Sequence, residues 1–459
     1  MKLTRREALG GLAATLAGTS LAGYFASDDI VAQSIAKAKP LNLKITDVKV
    51  WTVAVRSAFV KIYTNQGLVG VGQAHFSGKE ASVGAAIMQL RDQMIGRDPT
   101  QIEANWEDLY SGVRWRGGPL TAAVSAVDNA SWDILGQALG QPIYKLLGGP
   151  IHDKIKAYDG GGGITPESWE ATKKAGFKTS RVQWPQGSVT QMIKYVHQLR
   201  DACGPDHELA IHGSGLGATS DVLQFMRGVE DCNLLFVEEP IQMDDLEDWV
   251  HLRAHTTTPI ATGERVQTIN GFTPYLQRHL IDFAQPDLHA CGGLTEARKI
   301  AAIAAANRIR VNPHGPQGPA GAFMNLHFDA ATTNFYVQEI GGISNISQAY
   351  MDLHEGLVPK ITNGYVELPD KPGLGTVLNE QVLAKLGPPS WDSGNGIGTR
   401  TGWSTQEMDE GRGAGGRGAT SGRGGASGRG GARGRGGTDG RGGAGGADGA
   451  SGGGRGPGH

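Results

Sequence analysis

Cysteine is scarce in this chain: Cys203, Cys232 and Cys291 are the three thiols in 459 residues. An odd number with no CxxC spacing argues against a disulfide framework or a zinc ribbon, and they read as small packed side chains. An excess of charge of one sign is also missing. The formal net charge is −2, which provides no global field for nucleic acid or an anionic surface. No apolar run is long enough to span a bilayer, since the one near the N-terminus is short and made of small residues. Aromatics stop at Trp403. From Glu410 on the chain is Gly, Arg, Ala and Ser, which cannot bury a core, so residues 404–459 are expected to be a disordered, solvated tail. Arg-Gly repeats can bind RNA, but without interleaved aromatics they lack the platforms on which bases stack.

What is present divides the rest of the chain. The opening MKLTRREALGGLAATLAGTSLAG sets Lys2, Arg5 and Arg6 before a weakly apolar run. This is the shape of an export signal, with a twin-arginine-like Thr4-Arg5-Arg6, and residues 1–40 are expected to direct the protein to the periplasm or otherwise out of the cytoplasm. Residues 41–150 read as an α+β domain: extended to about Tyr63, a turn at Asn65-Gln66-Gly67, a strand LVGVGQAHF, then helical patterns over 80–96, 101–110 and 121–139. Leu147-Gly148-Gly149-Pro150 punctuates its end. Over 151–360 strand and helix alternate, eight strands with seven clear intervening helices, the pattern of a (β/α)8 barrel. Helices are expected from Pro166, over 189–203, over 221–230 and over 244–255. Residues 361–390 read as a return to the first domain.

Within the barrel, ionisable residues recur at strand ends. LLFVEEP carries Glu238 and PIATGE carries Glu264, 26 positions apart (264 − 238), about one βα unit. The same step backwards lands on His212 at the end of ELAIHG, and forwards come Asp287 (IDFAQPD), His314 (IRVNPH) and Glu339 (FYVQE). Charge at strand ends facing a barrel axis is costly unless something binds there, so the ring marks a site on the carboxyl-terminal face. For Glu238 and Glu264 the structural alternative is an ion pair.

FVEEP, ATGE, the PDLHACGGLTEA turn, the VNPH strand, the PGLG turn near Gly373 and the DNASWDILG segment together resemble the enolase superfamily. Within it they are most similar to the sugar-acid dehydratases of the mandelate racemase branch, over about residues 41–383. The resemblance implies an α/β fold, a TIM-type barrel capped by an N-terminal α+β domain and completed by a C-terminal segment. It further implies removal of the proton next to a carboxylate followed by loss of water, giving a 2-keto-3-deoxy acid. Glu238, Glu264 and His212 would hold a divalent metal, Mg²⁺ by the hardness of carboxylate oxygen. An imidazole at 212, where dehydratases carry Asp, shifts preference toward Mn²⁺ or Zn²⁺, or else donates directly to substrate. His314 would be the general base, oriented by Asp287. Glu339 would face the intermediate, or close the barrel through a salt bridge.

Two further departures shape the expectation. Ser214 stands where related dehydratases place a second His, and a hydroxyl is a poor acid, so the leaving group needs another donor. Arg181 and Gln183 stand where racemases carry a Lys pair. Arginine stays protonated and binds substrate rather than acting as a base. His75 and the Arg114-Trp115-Arg116 run are candidates to cover the barrel mouth, with ordinary packing as the alternative. The expected partner is a small sugar acid, with no nucleic acid or membrane, and family analogy suggests a homo-oligomer. A one-base cycloisomerase or lyase on an anhydro-sugar or uronate acid, and a non-catalytic sugar-acid binding protein, are the competing readings.

Overall fold

The structure, a computed structural model, describes residues 41–386 apart from 54–56, 77, 159–164, 167, 184–186, 214–217, 316–318 and 341–347. The expected export segment, the tail and Ser214 lie outside the described residues. Three antiparallel strands, β1 (Ile45–Val53), β2 (Ser57–Thr64) and β3 (Val69–His75), form a meander. Against it pack α1 (Glu80–Met94), α2 (Ile102–Tyr110) and α3 (Pro119–Leu139). These helices bury Ile87, Leu90, Trp106 and Ile134 against Val60 and Ile62. The close fit of β3 to α3 depends on its glycines, because a Cβ at Gly72 would lie 1.9 Å from the carbonyl oxygen of Ala126. No side chain fits in that space.

A short helix, α4 (Ile143–Leu146), leads into the barrel. Its eight strands are β4 (Lys154–Tyr158), β5 (Thr179–Gln183), β6 (Glu208–His212), β7 (Phe236–Glu238), β8 (Ile260–Thr262), β9 (Phe283–Ala284), β10 (Arg310–Val311) and β11 (Gln338–Glu339). Between them run α5 (Trp169–Lys174), α6 (Val189–Cys203), α7 (Thr219–Gly228), α8 (Leu246–Ala254), α9 (Thr268–Gln277), α10 (Gly293–Ala306) and α11 (Pro319–Ala331). β5 to β10 form one parallel ladder in chain order. Val311 bridges to Phe335, and β11 pairs in parallel with β4. Among the described residues no ladder joins β4 to β5. Helix starts follow local chemistry. α6 opens on a capping box, Ser188 accepting from the backbone N–H of Gln191 while the Gln191 side chain accepts from Ser188, which satisfies two donors that a helix start leaves free. α5 begins at Trp169, three residues later than the expected start at Pro166.

The chain then forms α12 (Gln348–Leu353) and a hairpin of β12 (Ile361–Thr362) and β13 (Tyr365–Glu367), which pairs antiparallel with β4. Residues 361–367 thus extend the barrel edge. Contact with the first domain comes later, where Leu374 donates its N–H to Asp133 of α3 and Glu380, at the start of α13 (Glu380–Leu386), takes Lys49 and Lys61 of the meander.

Two layers fill the barrel. Ala210, Phe236, Ala261 and Phe283 pack together inside it. Successive strand residues point to opposite faces, so His212 and Glu238, two positions beyond Ala210 and Phe236, point the same way one layer nearer the mouth.

Candidate active site

The polar layer is built around Arg181. This side chain, 7% exposed, reaches both oxygens of Glu238 through Nη1 at 3.2 Å and Glu339 Oε1 through Nη2 at 2.7 Å. Burial opposes its charge, but the two carboxylates outweigh that and raise its pKa. Glu238 in turn lies 3.2 Å from His212 Nδ1. Burial pushes the Glu238 carboxyl up, and Arg181 with His212 reverses the effect, holding it well below the usual range. His212 is lowered by burial and raised more strongly by Glu238. Glu339 also accepts the backbone N–H of Gly315 at 2.8 Å. The salt bridge weighed as the alternative for Glu339 is thus formed.

A second cluster surrounds Asp287, which is 1% exposed. Its Oδ2 takes His314 Nδ1 at 2.9 Å and His75 Nδ1 at 2.8 Å, while Oδ1 accepts the backbone N–H of His289 at 2.8 Å. Burial raises the Asp287 carboxyl, but these bonds and the imidazole charges hold it far below the usual range. His314 Nε2 lies 3.3 Å from Glu264 Oε2. Burial opposes the charged imidazole, yet Glu264 and Asp287 raise His314 well above its ordinary value. Glu264 reaches the mouth through Gly263, whose φ of +146° and lack of Cβ are both required. A Cβ there would sit 2.7 Å from the Phe272 ring and 2.9 Å from the Gln285 backbone.

His75 comes from the end of β3, in the other domain. The interface that delivers it is a set of hydrogen bonds from α3 to the loop after β9. Ser125 accepts from the Gly292 N–H, Asn129 from the Leu294 N–H, and Asp128 from the Thr295 N–H at 3.0 Å and hydroxyl at 2.6 Å. The His75 N–H donates to the His289 carbonyl at 3.1 Å. These bonds give the DNASWDILG and PDLHACGGLTEA segments their structural role.

The other expected residues fall outside these clusters. Gln183 is an exposed side chain at the end of β5, two residues beyond Arg181 on the same face. Arg116 does not reach the ring: its guanidinium is committed to the carbonyls of Val113 and Ser111 and lies over Tyr110. These two short-range carbonyls tie the side chain back along its own loop. Trp115 is 84% exposed. Sequence reasoning missed Arg265, which takes Glu239 at 3.0 and 2.6 Å. The 26-residue spacing from Glu239 to Arg265 repeats that of Glu238 to Glu264 and was the available signal. Burial and the neighbouring Glu264 charge raise Glu239 to about 7 despite Arg265. The buried side chains of Gln285 and Asn312, at the ends of neighbouring strands, also went unpredicted.

The charge inventory fits a divalent cation. Glu238, Glu239, Glu264, Asp287 and Glu339 face Arg181 and Arg265 as permanent cations, and the excess negative charge is what lifts His212 and His314. Hard carboxylate oxygens in surplus suit Mg²⁺, and one imidazole among them keeps Mn²⁺ and Zn²⁺ in range. His212 and Glu238 already stand side by side. Glu264 instead turns to His314, so the ligand atoms of His212, Glu238 and Glu264 do not all lie within 4.8 Å of one another. Glu264, a quarter exposed, is the one of the three that stands apart from the other two. A cavity of about 630 Å³ opens where the strands begin, lined by Glu208, Asp282 and Arg310 among others. It contains none of the candidate catalytic residues, and in barrels of this kind the chemistry lies at the opposite face.

Comparison with known proteins agrees with this geometry. Residues 27–148 match the mandelate racemase / muconate lactonizing enzyme N-terminal domain, and residues 166–382 match the enolase C-terminal domain-like family. The chain is 35% identical over 371 residues to a D-galactonate dehydratase of Pectobacterium atrosepticum, covering 76% of this chain and 96% of that protein. It is 33% identical over 367 residues to the D-galactonate dehydratase of Klebsiella pneumoniae, with the same coverage. Among solved structures, an enolase from Pantoea ananatis with bound D-gluconate and Mg superposes with a TM-score of 0.70 at 29% identity, over 75% of this chain and 94% of that one. The 3,6-anhydro-D-galactonate cycloisomerase from Zobellia galactanivorans gives 0.67 at 28%, over 74% and 98%. Two family matches in series, and relatives above 30% identity covered nearly end to end, place the chain in the mandelate racemase / muconate lactonizing enzyme branch of the enolase superfamily.

Proposed function

We propose that the protein is a metal-dependent dehydratase of a hydroxylated sugar acid. In this reaction His314 takes the proton next to the carboxylate and the β-hydroxyl leaves as water, giving a 2-keto-3-deoxy acid. The observation that carries the reading is the His314–Asp287 bond of 2.9 Å directly beside Glu264 and across from the Arg181–Glu238 pair. Asp287 fixes the proton on Nδ1 of His314 and leaves Nε2 to receive the substrate's. Glu238, Glu264 and His212 are the residues that would hold the cation. When bound, it supplies positive charge against the dianion that forms as the proton leaves. Arg181 holds Glu238 ionised and keeps Glu339 in place through their 2.7 Å contact, and Gln183 lies at the rim where a hydroxyl of the substrate would pass. The dehydratase relatives support the reaction class.

A screen of aldonic and aldaric acids with Mg²⁺ and with Mn²⁺ tests the reading, followed by metal analysis of protein purified without chelator. A His314→Asn variant as active as the parent would sink the assignment. Ser214, together with the likeness to the cycloisomerase, supports a second reading: one-base isomerisation of an anhydro-sugar acid. Product NMR in D₂O with mass measurement separates the two, because dehydration costs the substrate one water whereas opening an anhydro bridge keeps every heavy atom. The Arg5-Arg6 pair and apolar run within residues 1–40 support export, which fractionation of cells expressing the full chain tests.

A further inference from the structure

Loss of a β-hydroxyl needs a proton donor as well as a base, and the polar layer leaves few groups for that task. Arg181 binds its proton too tightly, Glu238 is held ionised, and Glu339 is occupied by Arg181 and the Gly315 N–H. His75 is different. Its ring lies beside that of His314, centroids 5.4 Å apart and planes inclined by 26°, and both Nδ1 atoms point at the same carboxylate oxygen. A carboxylate only accepts hydrogen bonds, so each Nδ1 carries a hydrogen. The 2.8 and 2.9 Å separations are ordinary hydrogen-bond lengths. That leaves Nε2 of each ring on the side away from Asp287, and in His314 it faces Glu264 at 3.3 Å. His75 Nε2 makes no hydrogen bond to any described residue, and the side chain is 16% exposed.

We infer that His75 is the general acid, delivering the proton that turns the departing β-hydroxyl into water; this rests on the dehydratase reading above. The two imidazoles then work as a pair over Asp287. The step requires a proton on His75 Nε2 and an open Nε2 on His314 at the start. The α-carbon's C–H bond breaks, its proton goes to His314 Nε2, and the electron pair moves toward the carboxylate. As the β-carbon–oxygen bond breaks, its pair leaves with oxygen, which takes the Nε2 proton of His75. The resulting enol becomes the 2-keto acid. At the end His314 is the imidazolium and His75 is neutral, so Asp287, buried, faces one positive ring before and after. No net charge is created next to it, which is the condition a low-dielectric pocket imposes. A proton returned from His314 to His75 through solvent resets the pair. The position is built in, because the His75 N–H is bonded to the His289 carbonyl and α3 is bonded to the same loop.

The test uses the full chain loaded with Mg²⁺ and the sugar acid the screen identifies, followed by NMR in D₂O, with His75→Gln, His75→Asn and His314→Asn variants. A β-fluoro analogue of that acid is included, since fluoride leaves without a proton. His75→Gln is expected to lose about 100-fold or more of the dehydration rate, while still exchanging the α-proton and releasing fluoride within a few-fold of the parent. His314→Asn should lose all three reactions. Dehydration by His75→Gln within a few-fold of the parent would overturn the inference. So would parallel loss of exchange, fluoride release and dehydration in both His75 variants, which would make His75 a positioning residue for His314. A parent enzyme that exchanges and dehydrates no sugar acid defeats the dehydratase reading itself, and this inference with it.

Discussion

Removing the Arg181 guanidinium gives the sharpest test of how the site is held. At 3.2 Å from Glu238 and 2.7 Å from Glu339, each pair attracts by roughly 5–6 kcal/mol at an effective dielectric constant of about 20. Much of that is offset by taking three charges out of water. Deleting one partner is a different matter, because it leaves the others buried and uncompensated. Arg181→Met should therefore cost about 3–5 kcal/mol. Glu339→Gln leaves Arg181 paired with Glu238 and should cost less, about 1–3 kcal/mol. The double variant removes one charge of each sign, so its cost should fall short of the sum by about 1–3 kcal/mol. Equilibrium urea unfolding at pH 7.5 followed by tryptophan fluorescence gives the four numbers, with chelator present so that no bound cation substitutes for the arginine. An Arg181→Met loss below about 1 kcal/mol, or additivity within about 0.5 kcal/mol, would refute the picture of a buried cation shared by two carboxylates.

Further outcomes follow from other groups. Burial lowers the buried histidines His327 and His354 to about 4 and 3. Each of these histidines takes up a proton more readily in the unfolded chain, so each contributes a fall in stability as pH drops from 6.5 toward 4, by about 1.4 kcal/mol per pH unit. The difference in urea midpoints between the parent and His354→Gln at pH 7.5, 6 and 5 separates this from the buried carboxyls Asp128, Asp133 and Glu239, which are raised and act with the opposite sign, and a difference that does not change with pH would contradict it. Gly263→Ala places a methyl within 3 Å of Phe272 and the Gln285 backbone at a φ of +146°. It should destabilise the fold by more than about 1 kcal/mol and displace Glu264, seen as weaker Mg²⁺ binding by calorimetry. Saturating Mg²⁺ at 100 times its dissociation constant should stabilise the parent by about 2.7 kcal/mol, an effect that EDTA reverses and Glu238→Gln reduces. Asp128→Ala deletes the acceptor for two Thr295 donors and should cost about 1–3 kcal/mol, read from the same urea curves.

Much of the site was legible because a parallel barrel converts sequence spacing into position. Once strands recur about every 26 residues, a residue at the end of each belongs to one ring, and His212, Glu238, Glu264, Asp287, His314 and Glu339 all satisfy that rule. The helix over 189–203 was legible to the residue because Ser188 and Gln191 form a capping box. Pairings within the ring were not legible. Spacing does not say that Arg181 would bind Glu339 on the strand beyond β4, nor that Glu264 would turn toward His314. His75 was a candidate only to cover the barrel mouth from the first domain. Its bond to Asp287 spans 212 positions along the chain and depends on how α3 docks, which no local pattern encodes. Arg116 is held by contacts of the opposite kind, to the carbonyls of Val113 and Ser111 close by in the chain.

Docking of α3 on the loop after β9 also bears on how such proteins exchange parts. If the acid comes from β3 and the base from β10, neither module holds a complete proton-transfer pair by itself. A graft of another relative's cap onto this barrel would have to bring a histidine at the end of its third strand together with a matching 288–295 turn. A chimera joined at the Gly148-Gly149 boundary without that turn would fold as two sound halves and still lack half of its chemistry.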